Sequence, residues 1–335
     1  MKEFINAFQN GSRLSPESME DLFDALLAET DETAVKDLLT KWNAKGTNED
    51  ELFVLASIMR SRCKKISTHH KAFIDCVGTG GSRAKTFNIS TAAAFITAGA
   101  GVAVAKHGNK AATSNSGSAD VLSELGIEPA VGSDAAEKCL NEIGICFMYA
   151  PNFHRLSPTL AKVRRELGIP TIFNNLGPLC NPANAPHQVI GVWDRALIEP
   201  TANVLARLGT KRSWVVHGSD GLDEITLNDK TFAAEISDGK VRLFTIEPAD
   251  FGFENEDIEK LKCKNAAESA FVICSILSGE NKSAAFKIAI MNSAAAIYIS
   301  GAADTLKGAA QMAAESVRSG NAMKKLEELA AATGG

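Results

Sequence analysis

The chain has 335 residues, 45% of them hydrophobic but only 6% aromatic, with a formal net charge of −5. That length holds one large domain or two ordinary ones around a sizeable core, packed by small aliphatic side chains rather than aromatic layers. The acidic balance argues against a dedicated nucleic-acid binder, which shows a basic face, and no apolar run approaches the roughly 20 residues of a membrane span. The N-terminal MKEFINAFQN lacks the apolar stretch of a secretory signal. Seven cysteines are scattered with no CxxC pair, which argues against a zinc ribbon or redox motif and fits reduced thiols. A soluble cytoplasmic protein is expected.

Residues 1–65 read as all-helical. Ser15-Pro16-Glu17 starts one helix: an N-cap, a proline at the first helical position and an acid in the first turn. Met19, Leu22, Phe23, Leu26 and Leu27 follow at helical spacing. Ala34, Val35, Leu38, Leu39 and Trp42 repeat the pattern, and Thr47 opens a third segment with Leu52, Phe53, Leu55, Ala56 and Met59. From residue 72 short apolar runs alternate with helical patterns. Strands are expected at 73–77, 102–106, 145–149, 188–193 and 213–217, with helices between them such as 88–100 and 197–208. That alternation implies right-handed crossovers and a mostly parallel sheet. Asp238-Gly239 between the alternating runs of 231–246 signals a hairpin, hence an antiparallel addition. The remainder reads as Ala-rich helices. The expected class is α/β: a small all-helical domain plus a large α/β domain with a mostly parallel central sheet flanked by helices.

In parallel α/β sheets, ligands bind beyond the carboxyl ends of strands. Three loops lie there. Gly78-Thr79-Gly80-Gly81-Ser82 follows the first strand; glycines let backbone N–H groups approach an anion, and a helix starting near Asn88 adds free amides and a positive dipole end. Alone, this loop is equally a glycine-rich turn, and it has neither the GxxxxGK[ST] nor the GxGxxG spacing. Lys106-His107-Gly108-Asn109 follows the second strand; a lysine ending an apolar strand either snorkels or meets an anion. Asp223-Glu224 lies beyond the fifth; adjacent carboxylates are good Mg²⁺ ligands, though an acidic turn looks the same. In KVRRELG, Arg164-Arg165 suit bidentate carboxylate recognition or solvated helix pairs with Glu, and one arginine can do each job. Gly177-Pro178 and Asn181-Pro182 mark a rigid turn rather than chemistry. No GxSxG elbow or compelling nucleophile–histidine arrangement is present. Agreement among the three loops favours the phosphate cradle over the bare turn.

The segments GTGG (78–81), FNIST (87–91), VAKHGN (104–109), SGSADVL (116–122), VRRELG (163–168), TIFNNLGPLCNPA (171–183) and GLDE (221–224) resemble the anthranilate phosphoribosyltransferases, of the family shared with the pyrimidine nucleoside phosphorylases. They stand in that family's order and cover nearly the whole chain. The resemblance implies a helical domain of 1–68 plus about 165–185 that dimerises, and an α/β domain of 69–164 and 186–335. It implies transfer of phosphoribose from phosphoribosyl pyrophosphate to anthranilate in tryptophan biosynthesis. Gly78, Gly80, Gly81, Ser82, Thr86, Asn88, Ser90, Thr91, Lys106 and Ser118 would hold the sugar donor. Gly78, His107, Asn109 and Arg164 would hold anthranilate, and Ser90, Asp223 and Glu224 two Mg²⁺ ions with the pyrophosphate. No general acid or base is assigned, and no nucleic acid or membrane is an expected partner. A pyrimidine nucleoside phosphorylase, or a transferase for another aromatic acceptor, is the alternative. Four places depart from the family: Ser82-Arg83 replaces its Asp-Gly, and Lys110, Arg155 and Lys162 stand where it has Arg, Pro and Pro.

Overall fold

The computed structural model describes residues 1–80, 84–111 and 116–334. Four helices come first: α1 (Lys2–Gln9), α2 (Pro16–Ala28), α3 (Glu32–Lys45) and α4 (Glu49–Arg62). Ser15 caps α2 as expected, its hydroxyl accepting the Ser18 N–H at 3.2 Å. Helix α4 is capped by Asn48 rather than Thr47: Asn48 Oδ1 accepts the Glu51 N–H at 2.9 Å, and Glu51 reaches back to the Asn48 N–H. That reciprocal box satisfies two end amides.

Strands and helices then alternate: β1 (Phe73–Gly78), α5 (Ile89–Gly99), β2 (Ala103–Gly108), α6 (Ser118–Glu124), α7 (Ser133–Ile143) and β3 (Ile145–Tyr149). Three helices follow in a row, α8 (Ala150–His154), α9 (Pro158–Leu167) and α10 (Ile172–Leu179), before β4 (His187–Gly191), α11 (Ile198–Arg207) and β5 (Arg212–Gly218). The hairpin is β6 (Thr231–Ser237) and β7 (Lys240–Ile246). Its turn residues both sit in the left-handed region, Asp238 at φ 51° and Gly239 at φ 72°, the geometry a two-residue hairpin loop needs. Helices α12 (Ala266–Leu277), α13 (Ala284–Ile299), α14 (Leu306–Arg318) and α15 (Asn321–Thr333) close the chain.

The sheet has seven strands in the order β3-β2-β1-β4-β5-β6-β7. The first four pairings along it are parallel and the hairpin pairings are antiparallel, so the fold class read from the sequence holds. Both faces are covered. On one, Ile74, Cys76, Val189, Trp214 and Val216 pack with α5 and α12–α15. On the other, Val77, Ile190, Val215, Ala234 and Ile236 share a cluster with α2–α4 and α9–α11. Period-two alternation along buried strands produces this division. It brings β1, β2 and β5 to end at one edge, below α10.

Candidate active site

A cavity of about 250 Å³ opens at that edge. Its lining includes Gly78, Gly80, Thr86, Asn88, Ser90, Lys106, His107, Asn109, Ser118, Arg164, Asp223 and Glu224. Every expected site residue within the described chain is therefore at the cavity except Thr91. Thr91 is fully buried, with its hydroxyl unpartnered among the described residues and its N–H bonded to the Asn88 carbonyl. It faces the core because it lies one helical step past Ser90. Gly81, Ser82 and Arg83 lie outside the described residues.

Lys106 lies within β2, near its carboxyl end, with its ammonium drawn inward. It donates to the Cys76 carbonyl at 2.5 Å and to Ser90 Oγ at 3.3 Å, and only 4% of the residue is exposed. The snorkelling alternative is thus excluded. A buried ammonium whose hydrogen bonds among the described residues go to a carbonyl and a hydroxyl is a strong attractor for phosphate oxygens. The start of α5 corrects one expectation, because its amides are not free. The Ile89 N–H bonds the Phe87 carbonyl at 2.8 Å, and the Ser90 N–H bonds Glu224 Oε1 at 3.2 Å. The Glu224 carboxyl thus already occupies the positive end of this helix. Asn88 caps nothing; its Oδ1 accepts from Ser116 Oγ at 2.9 Å and Ser269 Oγ at 3.0 Å, fixing the loop before the helix.

Asp223 and Glu224 ride on a loop held from below. Asn292 of α13 accepts the Ile225 N–H and donates to the Ile225 carbonyl, both at 3.0 Å. The loop also lies directly on Gly191 at the end of β4: a Cβ there would come 1.6 Å from the Asp223 carbonyl oxygen, so no other residue fits. Burial, and then the adjacent Asp223 charge, push the Glu224 carboxyl up. Two carboxylates wedged together in this way favour a divalent cation between them. Two carboxylates and the Ser90 hydroxyl are too few to saturate Mg²⁺, and among the described residues no cluster of three or more His, Cys, Asp or Glu forms a metal site. This donor set suits an ion whose remaining positions are filled by phosphate oxygens and water.

The opposite wall is different. His107 Nε2 and His154 Nε2 are 3.1 Å apart, one ring donating and the other accepting. Burial, with His154 adding to it, holds His107 well below its ordinary value, and burial holds His154 at about 4. Both rings are neutral at pH 7. Arg164, at the end of α9, packs on the Phe173 ring with 5.2 Å to the centroid and reaches Asn174 Oδ1 at 3.4 Å. Its Nε is buried without a hydrogen-bond partner among the described residues. Burial lowers it to about 10, so it is charged at pH 7. Arg165 is exposed; of the two arginines, one faces the cavity and the other water. Gly177-Pro178 also forms part of this wall. It lies within α10 rather than in a turn, with the Pro178 carbonyl accepting from Gln188 Nε2 at 3.0 Å. Sequence alone does not pick out His154, Asn292 and Gly191 as site residues and reads Gly177-Pro178 only as a turn, because each acts through contacts distant in sequence.

The family model of the glycosyl transferase family, a/b domain, matches residues 70–323. An anthranilate phosphoribosyltransferase of Moorella thermoacetica is 42% identical over 99% of this chain and 98% of its own. Among solved structures, anthranilate phosphoribosyltransferase from Thermus thermophilus aligns with TM-score 0.89 and 34% identity, covering 98% of this chain and 99% of its own. The Saccharomyces cerevisiae enzyme in complex with PRPP and Mg aligns with TM-score 0.88 and 29% identity, covering 99% and 98%. The chain belongs to the glycosyl transferase family, in its anthranilate phosphoribosyltransferase branch.

Proposed function

We propose that this chain transfers phosphoribose from 5-phosphoribosyl 1-pyrophosphate to the amine of anthranilate, the second step of tryptophan biosynthesis from chorismate. One observation supports the acceptor assignment: Arg164 is a half-buried cation beside the phosphate-binding half of the cavity, and among the described residues its buried Nε has no hydrogen-bond partner and no carboxylate pairs with it. An aromatic carboxylate supplies the missing anion, and the Phe173 ring that packs on Arg164 lies beside it. Uracil and thymine have no carboxylate to offer.

In this reading the Gly78–Gly81 loop, Thr86, Asn88, Ser90, Lys106 and Ser118 bind the sugar donor. Ser90, Asp223 and Glu224 hold Mg²⁺, which when bound neutralises the departing pyrophosphate. His107, Asn109 and Arg164 orient the acceptor. The amine nitrogen forms its bond to the ribose anomeric carbon as the bond from that carbon to the pyrophosphate oxygen breaks, and the nitrogen then loses a proton. An arylamine is neutral at pH 7, so no strong base is required. Two neutral imidazoles avoid repelling charge that develops on the sugar, and rate comes from positioning and charge stabilisation.

The helical unit of 1–68 with about 165–185 forms the smaller domain and a homodimer interface, and 69–164 with 186–335 forms the larger. Its place is the cytoplasm; no helix among the described residues is long and apolar enough to cross a membrane. The reading is tested by following loss of anthranilate fluorescence with phosphoribosyl pyrophosphate, with and without Mg²⁺. Metal-dependent loss is expected. Phosphorolysis of thymidine or uridine without anthranilate consumption contradicts it.

A further inference from the structure

Beneath the cavity lies a buried polar cluster that the transfer scheme does not use. Asp75, in the middle of β1, is fully buried, among the apolar neighbours Ile74, Cys76 and Val77. Its Oδ1 accepts the His107 backbone N–H at 3.1 Å, and its Oδ2 accepts Asn181 Nδ2 at 2.8 Å. The same Asn181 amide donates to the Ala105 carbonyl at 2.9 Å, and its oxygen accepts the Ala183 N–H at 2.9 Å. Gln188, the register partner of Asp75 on β4, donates to the Pro178 carbonyl at 3.0 Å. Burial pushes the Asp75 carboxyl up to about 6, while the Lys106 charge and then the Asn181 and His107 hydrogen bonds pull it down.

A buried carboxylate is costly, and apolar packing of the same volume is often as stable or more so. What a carboxylate adds is geometry. This one joins the end of β2, which carries Lys106 and His107, to the chain that leaves the Gly177-Pro178 wall. Neither Asp75 nor Asn181 lines the cavity. We infer that Asp75 and Asn181 are positioning residues that set the acceptor half of the cavity, holding His107 at a fixed separation from the Gly177-Pro178 wall. The inference rests on the transfer reaction proposed above.

Asp75→Asn tests it. In either rotamer the new amide nitrogen faces a donor, Asn181 Nδ2 or the His107 N–H, so one of the two hydrogen bonds to a charged group is lost. Such a bond is worth about 1.5–3 kcal/mol, so the KM for anthranilate rises about tenfold or more. The KM for phosphoribosyl pyrophosphate stays level or falls, because a negative charge near the phosphates is gone. Adding Asn181→Asp reverses the pair, so that the new amide on β1 donates to a carboxylate on the facing chain, and recovers part of the acceptor KM. A merely structural role gives a lowered Tm with both KM values unchanged, or both raised together, and either result overturns the inference. Should Asp75→Asn not fold, Asn181→Ala, which keeps the carboxylate, carries the same KM split. Wild-type protein in the same assay reports separately on the reaction itself. If wild type transfers nothing, protein labelled with ¹⁵N-histidine decides the matter without turnover. Asp75→Asn should then move the His107 amide signal and leave those of His69, His70, His187 and His217 in place. An unmoved His107 signal overturns the inference.

Discussion

The two halves of the cavity are built by opposite means. The half proposed for the donor is a set of charged and glycine-rich positions at strand ends: Gly78 and Gly80 at the end of β1, Lys106 near the carboxyl end of β2, and Asp223-Glu224 on the loop after β5. The half proposed for the acceptor joins α8, α9 and α10 to His107 and Asn109 at the end of β2, with one charged group and two imidazoles that burial keeps neutral. Phosphate recognition needs backbone amides and full charges, and parallel strand ends supply such loops. Recognition of a flat aromatic acid needs a dry wall with a single counter-charge, and helices packed over the sheet supply that.

That contrast predicts unequal sensitivities. The largest effect is expected from Asp223→Asn with Glu224→Gln. Removing both carboxylates should lower kcat/KM about 10³-fold, within the range of several kcal/mol expected of metal charge stabilisation. Isothermal titration should show that Mg²⁺ no longer tightens binding of phosphoribosyl pyrophosphate. An unchanged Mg²⁺ dependence would remove the metal site from this loop.

Gly191→Ala is next. It forces the Asp223 backbone away from β4, where a Cβ would stand 1.6 Å from its carbonyl oxygen. Overpacking of this kind costs about 1–3 kcal/mol. Thermal unfolding should show that loss, together with a higher Mg²⁺ requirement and a KM for anthranilate that barely moves. Equal damage to both substrates would erase the distinction between the halves.

The histidine pair gives a pH test. Burial keeps His154 at about 4 in the fold, against about 6.5 in an unfolded chain. The unfolded state therefore binds more protons between those values, and stability rises with pH there. The contribution is complete above about 6.5 and is lost as pH falls toward 4. Relative to His154→Gln, wild type should lose about 2 kcal/mol by pH 5 in denaturant titrations. A constant difference across pH would mean that the ring is not held neutral by burial.

The smallest effect is expected at Lys162, where the family has proline. It pairs with Glu32 across α9 and α3 at 2.7 Å, with both side chains about half exposed. Lys162→Ala should cost less than about 1 kcal/mol and leave both KM values unchanged. A marked change in the KM for anthranilate would extend the acceptor half to the outer face of α9.

The same contrast explains what could be read from sequence. Five strand positions, the Asp238-Gly239 hairpin and the donor loops follow from local periodicity and turn chemistry, and they lie where expected. Arg164 was distinguishable as a candidate but not from Arg165 on spacing alone; helix phase turns one inward and the other out. Asn181 reads as part of a turn, although its amide in fact bridges Asp75 and Ala105 across the sheet. Gly177-Pro178 reads as a break but ends a helix, because Gln188 takes up the Pro178 carbonyl. The α5 amides read as free, but Glu224, 134 residues away in the chain, occupies one of them. Pairings of that range carry no local pattern.

The central claim, that one half of the cavity reads the sugar donor and the other an aromatic carboxylate, is tested most directly by crossing two variants with two substrates. Steady-state KM values for phosphoribosyl pyrophosphate and anthranilate would be measured on Lys106→Ala and Arg164→Ala. Each substitution should raise one KM about tenfold or more, the size of a lost hydrogen bond to a charged group. Lys106→Ala should raise that of the donor and Arg164→Ala that of anthranilate, with the other KM nearly unmoved. Parallel rises of both values in either variant would contradict the division.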